Sequence, residues 1–126
     1  MANSFQTILK CCFVLIFLTC LNTCLNAQND YYIRQAESYQ REVEYYQSQI
    51  QRYDREAEYY NNEANKNFRD AQYYFRNKKY NQAKSCLRQA WSNMDRANDY
   101  SKMAANSRDN VKSYIRKMES AIQNIK

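Results

Sequence analysis

Phenols are the reactive groups that this chain repeats. Tyr31-Tyr32, Tyr45-Tyr46, Tyr59-Tyr60 and Tyr73-Tyr74 recur at an unvarying interval of fourteen residues. A tyrosine ring stacks on aromatic and cationic groups, and its hydroxyl both donates and accepts hydrogen bonds. Two exposed phenols can also be joined by oxidative coupling. Other chemistry is constrained by what is missing, because the 126 residues include no His, no Gly and no Pro. Without imidazole, the Ser/His and Cys/His nucleophile systems and nearly all zinc and haem arrangements lack their base or ligand. Without Gly, no loop can bring its backbone close around a phosphate. A carboxylate pair of the glycosidase kind would still need a cleft, which a thin helical hairpin does not offer. The expectation is a protein that is not an enzyme and holds no cofactor or metal.

The element that positions these tyrosines follows from their spacing. Fourteen residues are two heptads, so each pair returns to the same face of a helix wound at about 3.5 residues per turn. The repeat extends beyond the rings, since Arg41, Arg55 and Arg69 are followed by Glu42-Val43, Glu56-Ala57 and Asp70-Ala71. From Tyr32 to Tyr74, steps of three and four link a large class (Tyr32, Tyr39, Tyr46, Tyr53, Tyr60, Tyr74) to a small one (Ala36, Val43, Ile50, Ala57, Ala64, Ala71), with Asn67 as the one polar interruption. Arg76-Asn77-Lys78-Lys79 breaks the pattern, and Asn77 is the best residue present for a left-handed helix stop. The stepping resumes after Tyr80 through Ala83, Leu87, Ala90, Met94, Ala97, Ser101, Ala104, Arg108, Val111, Ile115, Met118, Ile122 and Ile125.

The predicted fold is therefore all-α: a long two-helix antiparallel coiled-coil hairpin, with arm one over 28–76, the turn at 76–79 and arm two over 80–126. Each arm would be about 70 Å long at 1.5 Å per residue. Folding back at the turn sets Ala71, Ala64 and Ala57 against Ala83, Ala90 and Ala97. It sets Tyr60 against Met94, Asn67 against Leu87, Tyr39 against Ile115, Tyr53 against Ser101 and Tyr46 against Arg108. The alternative is a three-helix bundle broken near Asn106–Asn110, where Ser, Asn and Asp compete with the backbone for hydrogen bonds.

Residues 1–27 read as a signal peptide, with Lys10 ahead of the apolar run Cys11 to Leu21 and the small Ala27 before Gln28. That run is shorter than the roughly 18 apolar residues of a membrane span. Cleavage after Ala27 would leave 99 of the 126 residues, secreted or periplasmic, with the helical hairpin domain over 28–126. Cys20 and Cys24 follow Thr19 and Thr23 where a lipid-attachment motif calls for Gly, Ala or Ser. Four of five cysteines leave with the leader, so Cys86 has no partner in its own chain. It is either a small hydrophobe or the site of an intermolecular disulfide.

Around the turn, Ala71, Tyr74, Tyr80, Ala83, Leu87 and Ala90 are spaced so that the segment resembles one tetratricopeptide unit. Lys78 stands at that unit's usual Gly, Asn67 at its Trp and Asp95 at its Pro, and no 34-residue period recurs. The resemblance implies a tight antiparallel turn and does not imply peptide binding.

Charge divides between the arms. Residues 28–77 carry seven basic and nine acidic side chains, and 78–126 carry eleven and four. Arg88, Arg96, Lys102, Arg116 and Lys117 fall on positions expected to face away from the first arm, a strip for an acidic surface such as a glycan or anionic lipid. The outer tyrosines Tyr31, Tyr45, Tyr59 and Tyr73 lie beyond the seam at intervals of about 21 Å. Phe68, Phe75 and Trp91 are expected on one edge, and Cys86, Tyr100 and Tyr114 on the other. A 99-residue hairpin has little core for its surface, and association is the usual remedy.

The leading expectation is an exported structural or interaction protein, a homo-oligomer that self-associates through its tyrosine-rich flanks. An exported holdase or adaptor gripping a protein or glycan client is one alternative, and a small secreted toxin or effector is another. Rings and cations also suit single-stranded nucleic acid, but export argues against that partner.

Overall fold

A computed structural model describes the backbone of residues 2–125 and the side chains of residues 14–125. Lys10 and the first three residues of the leader's apolar run, Cys11, Cys12 and Phe13, lie outside the described side chains. Lys126, the end of the expected second arm, lies outside the described residues. Two helices make up the described chain, α1 (Ala2–Arg76) and α2 (Tyr80–Gln123), and they pack against each other as a hairpin. With no Gly or Pro in either helix, nothing in the backbone chemistry forces a break. α1 runs on through Ala27. α2 is continuous through Asn106–Asn110, so the three-helix alternative is not what forms. Ser107 in that stretch is buried, which gives the segment packing that propensity alone does not anticipate.

The turn is set by backbone hydrogen bonds. The Lys79 amide donates to the Tyr74 carbonyl at 2.8 Å and the Lys78 amide to the Phe75 carbonyl at 3.0 Å. That crossed pair is the Schellman closure, whose left-handed residue carries the first amide after the helix cap. The residue is Lys78, at φ 59°, and not Asn77 as the sequence suggested. Asn77 instead turns its side-chain amide back onto the Tyr73 carbonyl at 2.8 Å, satisfying one of the helix-end acceptors. The tetratricopeptide-like spacing had placed the usual Gly at Lys78, which is where the backbone needs one.

The chain divides into two units. In the unit formed by 42–114, the core is a double row of alanines: Ala57, Ala64 and Ala71 on α1, and Ala83, Ala90, Ala97 and Ala104 on α2. Small side chains on both helices let the backbones approach closely. Among the described residues no large side chain is fully buried. The other unit, 1–41 with 115–126, half-buries Tyr32, Ala36, Tyr39, Ile115 and Met118 and buries Ala121.

One expectation about α2 is corrected. Its inward residues step Ala83, Cys86, Ala90, Asn93, Ala97, Tyr100, Ala104, Ser107, Val111, Tyr114, all buried or half-buried. The alanine row is as expected, but its companion class lies on the opposite side of that row, leaving Leu87, Met94, Ser101 and Arg108 exposed. Tyr60 stacks on Tyr100 and not on Met94, at 5.7 Å and 7° between ring planes. Tyr53 also meets Tyr100, at 6.2 Å, and Tyr46 stacks on Tyr114 at 5.8 Å. Arg108 reaches Asp54, with Nη2 at 2.8 and 2.7 Å from its two carboxylate oxygens, and does not cover Tyr46. The cause is side-chain direction. Helical side chains lean toward their own N-terminus, so the α1 tyrosines reach away from the turn and the α2 tyrosines reach toward it. The rings meet, and the small members of the inward class, Cys86, Asn93 and Ser107, leave room for α1 rings elsewhere.

Candidate interaction surface

The outer tyrosines are presented by a repeated local arrangement. Tyr31, Tyr45, Tyr59 and Tyr73 are all 55–62 % exposed. Each packs its ring edge-to-face on the inner tyrosine that follows it, at 5.4, 5.2, 5.2 and 5.5 Å with 67–75° between planes. The inner ring of each pair is half-buried on the seam, so it holds the outer one in a defined pose. In the 1–41 unit, Gln35 Nε2 donates to the Tyr31 hydroxyl at 3.0 Å. In the 42–114 unit, Arg52 lies over the Tyr53 ring at 4.9 Å, and Arg96 lies over Tyr60 at 5.4 Å.

The residues expected to form contact edges separate into two groups. Phe68, Phe75 and Trp91 are exposed as expected, and Leu87, Met94 and Tyr80 join them. Phe75 and Tyr80 pack edge-to-face at 5.7 Å across the turn. A groove of about 240 Å³ runs beside them, lined by Phe68, Phe75, Ala71, Ala83 and Leu87 with Gln72 and Arg76. Trp91 and Met94 line a second depression with Asn61 and Ser101. Cys86, Tyr100 and Tyr114 form no such edge: they are half-buried, and the two tyrosines are taken up by ring stacking within the hairpin.

The basic strip is also divided. Arg88, Arg116 and Lys117 are exposed. Lys102 forms an exposed pair with Asp99 at 3.8 Å, and Arg96 is turned onto the Tyr60 ring. The sequence missed Leu87 and Met94 as surface residues because apolar character favours the seam. The signal that would have exposed them is the volume of the tyrosine rings on α1, which small residues and other rings accommodate better than Leu or Met.

Among the described residues, no three of His, Cys, Asp and Glu come together in a way that could hold a metal ion. Among them, too, no helix is long and apolar enough to cross a membrane, although Val14 to Leu18 and Leu21 are exposed. No family model matches this chain, and neither a curated protein nor a solved structure matches it.

Proposed function

We propose that the chain is exported, loses residues 1–27, and serves as a non-enzymatic helical hairpin that self-associates through the tyrosine flank of α1. The observation that carries this reading is the repeated pose of the outer tyrosines. One surface motif, returning every two heptads at about 21 Å, is suited to a partner with the same period, and a second copy has that period by construction. Energetics support it as well. The seam is built largely of alanine, each contributing little apolar area, so a hairpin of this size gains stability by covering further surface. Exposed aromatic side chains with a polar tip suit such contacts, because the ring is buried while the hydroxyl keeps a hydrogen bond.

The test is a sedimentation series over protein concentration on chain expressed with its leader and recovered after processing, its N-terminus read by mass spectrometry. The expected result is an N-terminus at Gln28 and an assembly that dissociates only on dilution. The Tyr45→Ser/Tyr59→Ser/Tyr73→Ser variant is expected to sediment as a monomer with unchanged helix content. A wild-type chain that stays monomeric at every concentration would overturn the proposal.

A further inference from the structure

Formal charge in this chain is concentrated beside its exposed apolar edge. Residues 64–90 carry seven basic side chains, from Lys66 to Arg88, against the single acid Asp70, a net of +6. The whole chain has that same net charge, so everything outside this segment sums to zero. The segment spans the end of α1, the turn and the start of α2, and it lies within the 42–114 unit. It holds Phe68, Phe75, Tyr80 and Leu87, and Trp91 and Met94 follow within a helical turn, all exposed. On each helix the cationic side chains lie beside the apolar ones here. Arg69 and Arg76 each follow a Phe by one residue, while Lys84 and Arg88 flank Leu87 on α2.

From this juxtaposition we infer that the turn end of the hairpin docks on an anionic lipid surface, its aromatic edge entering the interfacial layer while the surrounding lysines and arginines meet the headgroups. Three features choose this occupant. The charge is complementary to an anionic leaflet, where each added cation strengthens attraction. A second copy would bring another +6 against the first, so self-association is disfavoured at this edge. A soluble polyanion would satisfy the cations yet give Leu87 and Met94 nothing to bury in, whereas a bilayer offers acyl carbon directly beneath its charge. Aromatic rings at the level of the headgroups, with long cationic side chains reaching outward past them, are the arrangement of an interfacial contact and not of a span. This inference uses a different flank from the tyrosine row and stands or falls independently of self-association.

Trp91 makes the test direct, since it is the one tryptophan in the chain and sits on the proposed edge. Its emission is recorded on the processed chain with vesicles of phosphatidylcholine alone and of an equimolar mixture with phosphatidylglycerol. The expected result is a blue shift and reduced acrylamide quenching with the anionic vesicles only, weakening as salt is raised. Lys84→Glu/Arg88→Glu should lower vesicle affinity at least about tenfold, and Phe68→Ser/Phe75→Ser should abolish the shift, both with unchanged helical circular dichroism. An equal shift with neutral vesicles, or none with anionic ones, would overturn the inference. So would the same shift produced by a sulfated polysaccharide, which would assign the edge to a soluble polyanion. A shift that grows with protein concentration in the absence of vesicles would assign it to a second copy.

Discussion

Lys78 is the residue on which the hairpin closes. Its backbone is left-handed, which costs a residue with a Cβ roughly 1 kcal/mol relative to Gly. Lys78→Gly is therefore expected to stabilise the hairpin by about 0.5–1 kcal/mol after the added freedom of the unfolded chain is deducted. The check is the denaturant midpoint, and an unchanged or lower midpoint would contradict the assignment. The sequence located the turn to within a residue but not its left-handed position. Asn77 has the better intrinsic propensity, yet the crossed hydrogen bonds to Tyr74 and Phe75 dictate which residue must turn over. Cys86 read from the sequence as either a small hydrophobe or the site of a bridge between copies, and it lies on the inward row with Asn93 and Tyr100, half-buried. Reducing agent is therefore expected to leave the assembled mass unchanged, as light scattering in oxidising and reducing buffer would show.

At the scale of the helix, the rotation of α2 has a measurable consequence. Tyr100 lies against both Tyr53 and Tyr60, whereas Met94 is exposed. Tyr100→Ala should cost about 1–3 kcal/mol, combining lost ring contacts with lost burial. Met94→Ala should stay within about 0.5 kcal/mol of wild type, as exposed substitutions do. Equilibrium unfolding of the two variants checks this, and the opposite ranking would restore the face suggested by hydropathy. The ion pair of Arg108 with Asp54 is half-exposed on both sides, so it fixes geometry more than it stabilises, contributing about 1 kcal/mol or less. Heptad stepping made α1 legible from Tyr32 to Tyr74, because its tyrosines and alanines admit one phase there. On α2 the alanine row was legible and its companion class was not. Leu87 and Met94 look more apolar than Cys86, Asn93 and Ser107, and only the volume and lean of the facing rings decide against them.

Taken as a whole, the molecule keeps its chemistry on separate flanks. On α1 the outer tyrosines and the two phenylalanines occupy heptad positions two residues apart, about 160° around the helix at roughly 100° per residue. Tyr45 and Tyr59 each follow a glutamate, Glu44 and Glu58, whereas Tyr73 lies within the 64–90 segment that carries the chain's net charge, on the side of α1 away from the phenylalanines. This separation was half visible in the sequence. The doublets and the charge difference between arms could be read from spacing alone. The exposure of Leu87 and Met94 beside Phe68, Phe75 and Trp91 depended on how α2 is turned. The measurement that tests the central claim most directly is the light-scattering mass of two variants side by side, Tyr45→Ser/Tyr59→Ser/Tyr73→Ser and Phe68→Ser/Phe75→Ser. The tyrosine variant should be monomeric and the phenylalanine variant should assemble like wild type. Assembly that survives loss of the three tyrosines but not of the two phenylalanines would place the self-contact on the turn end and contradict the account.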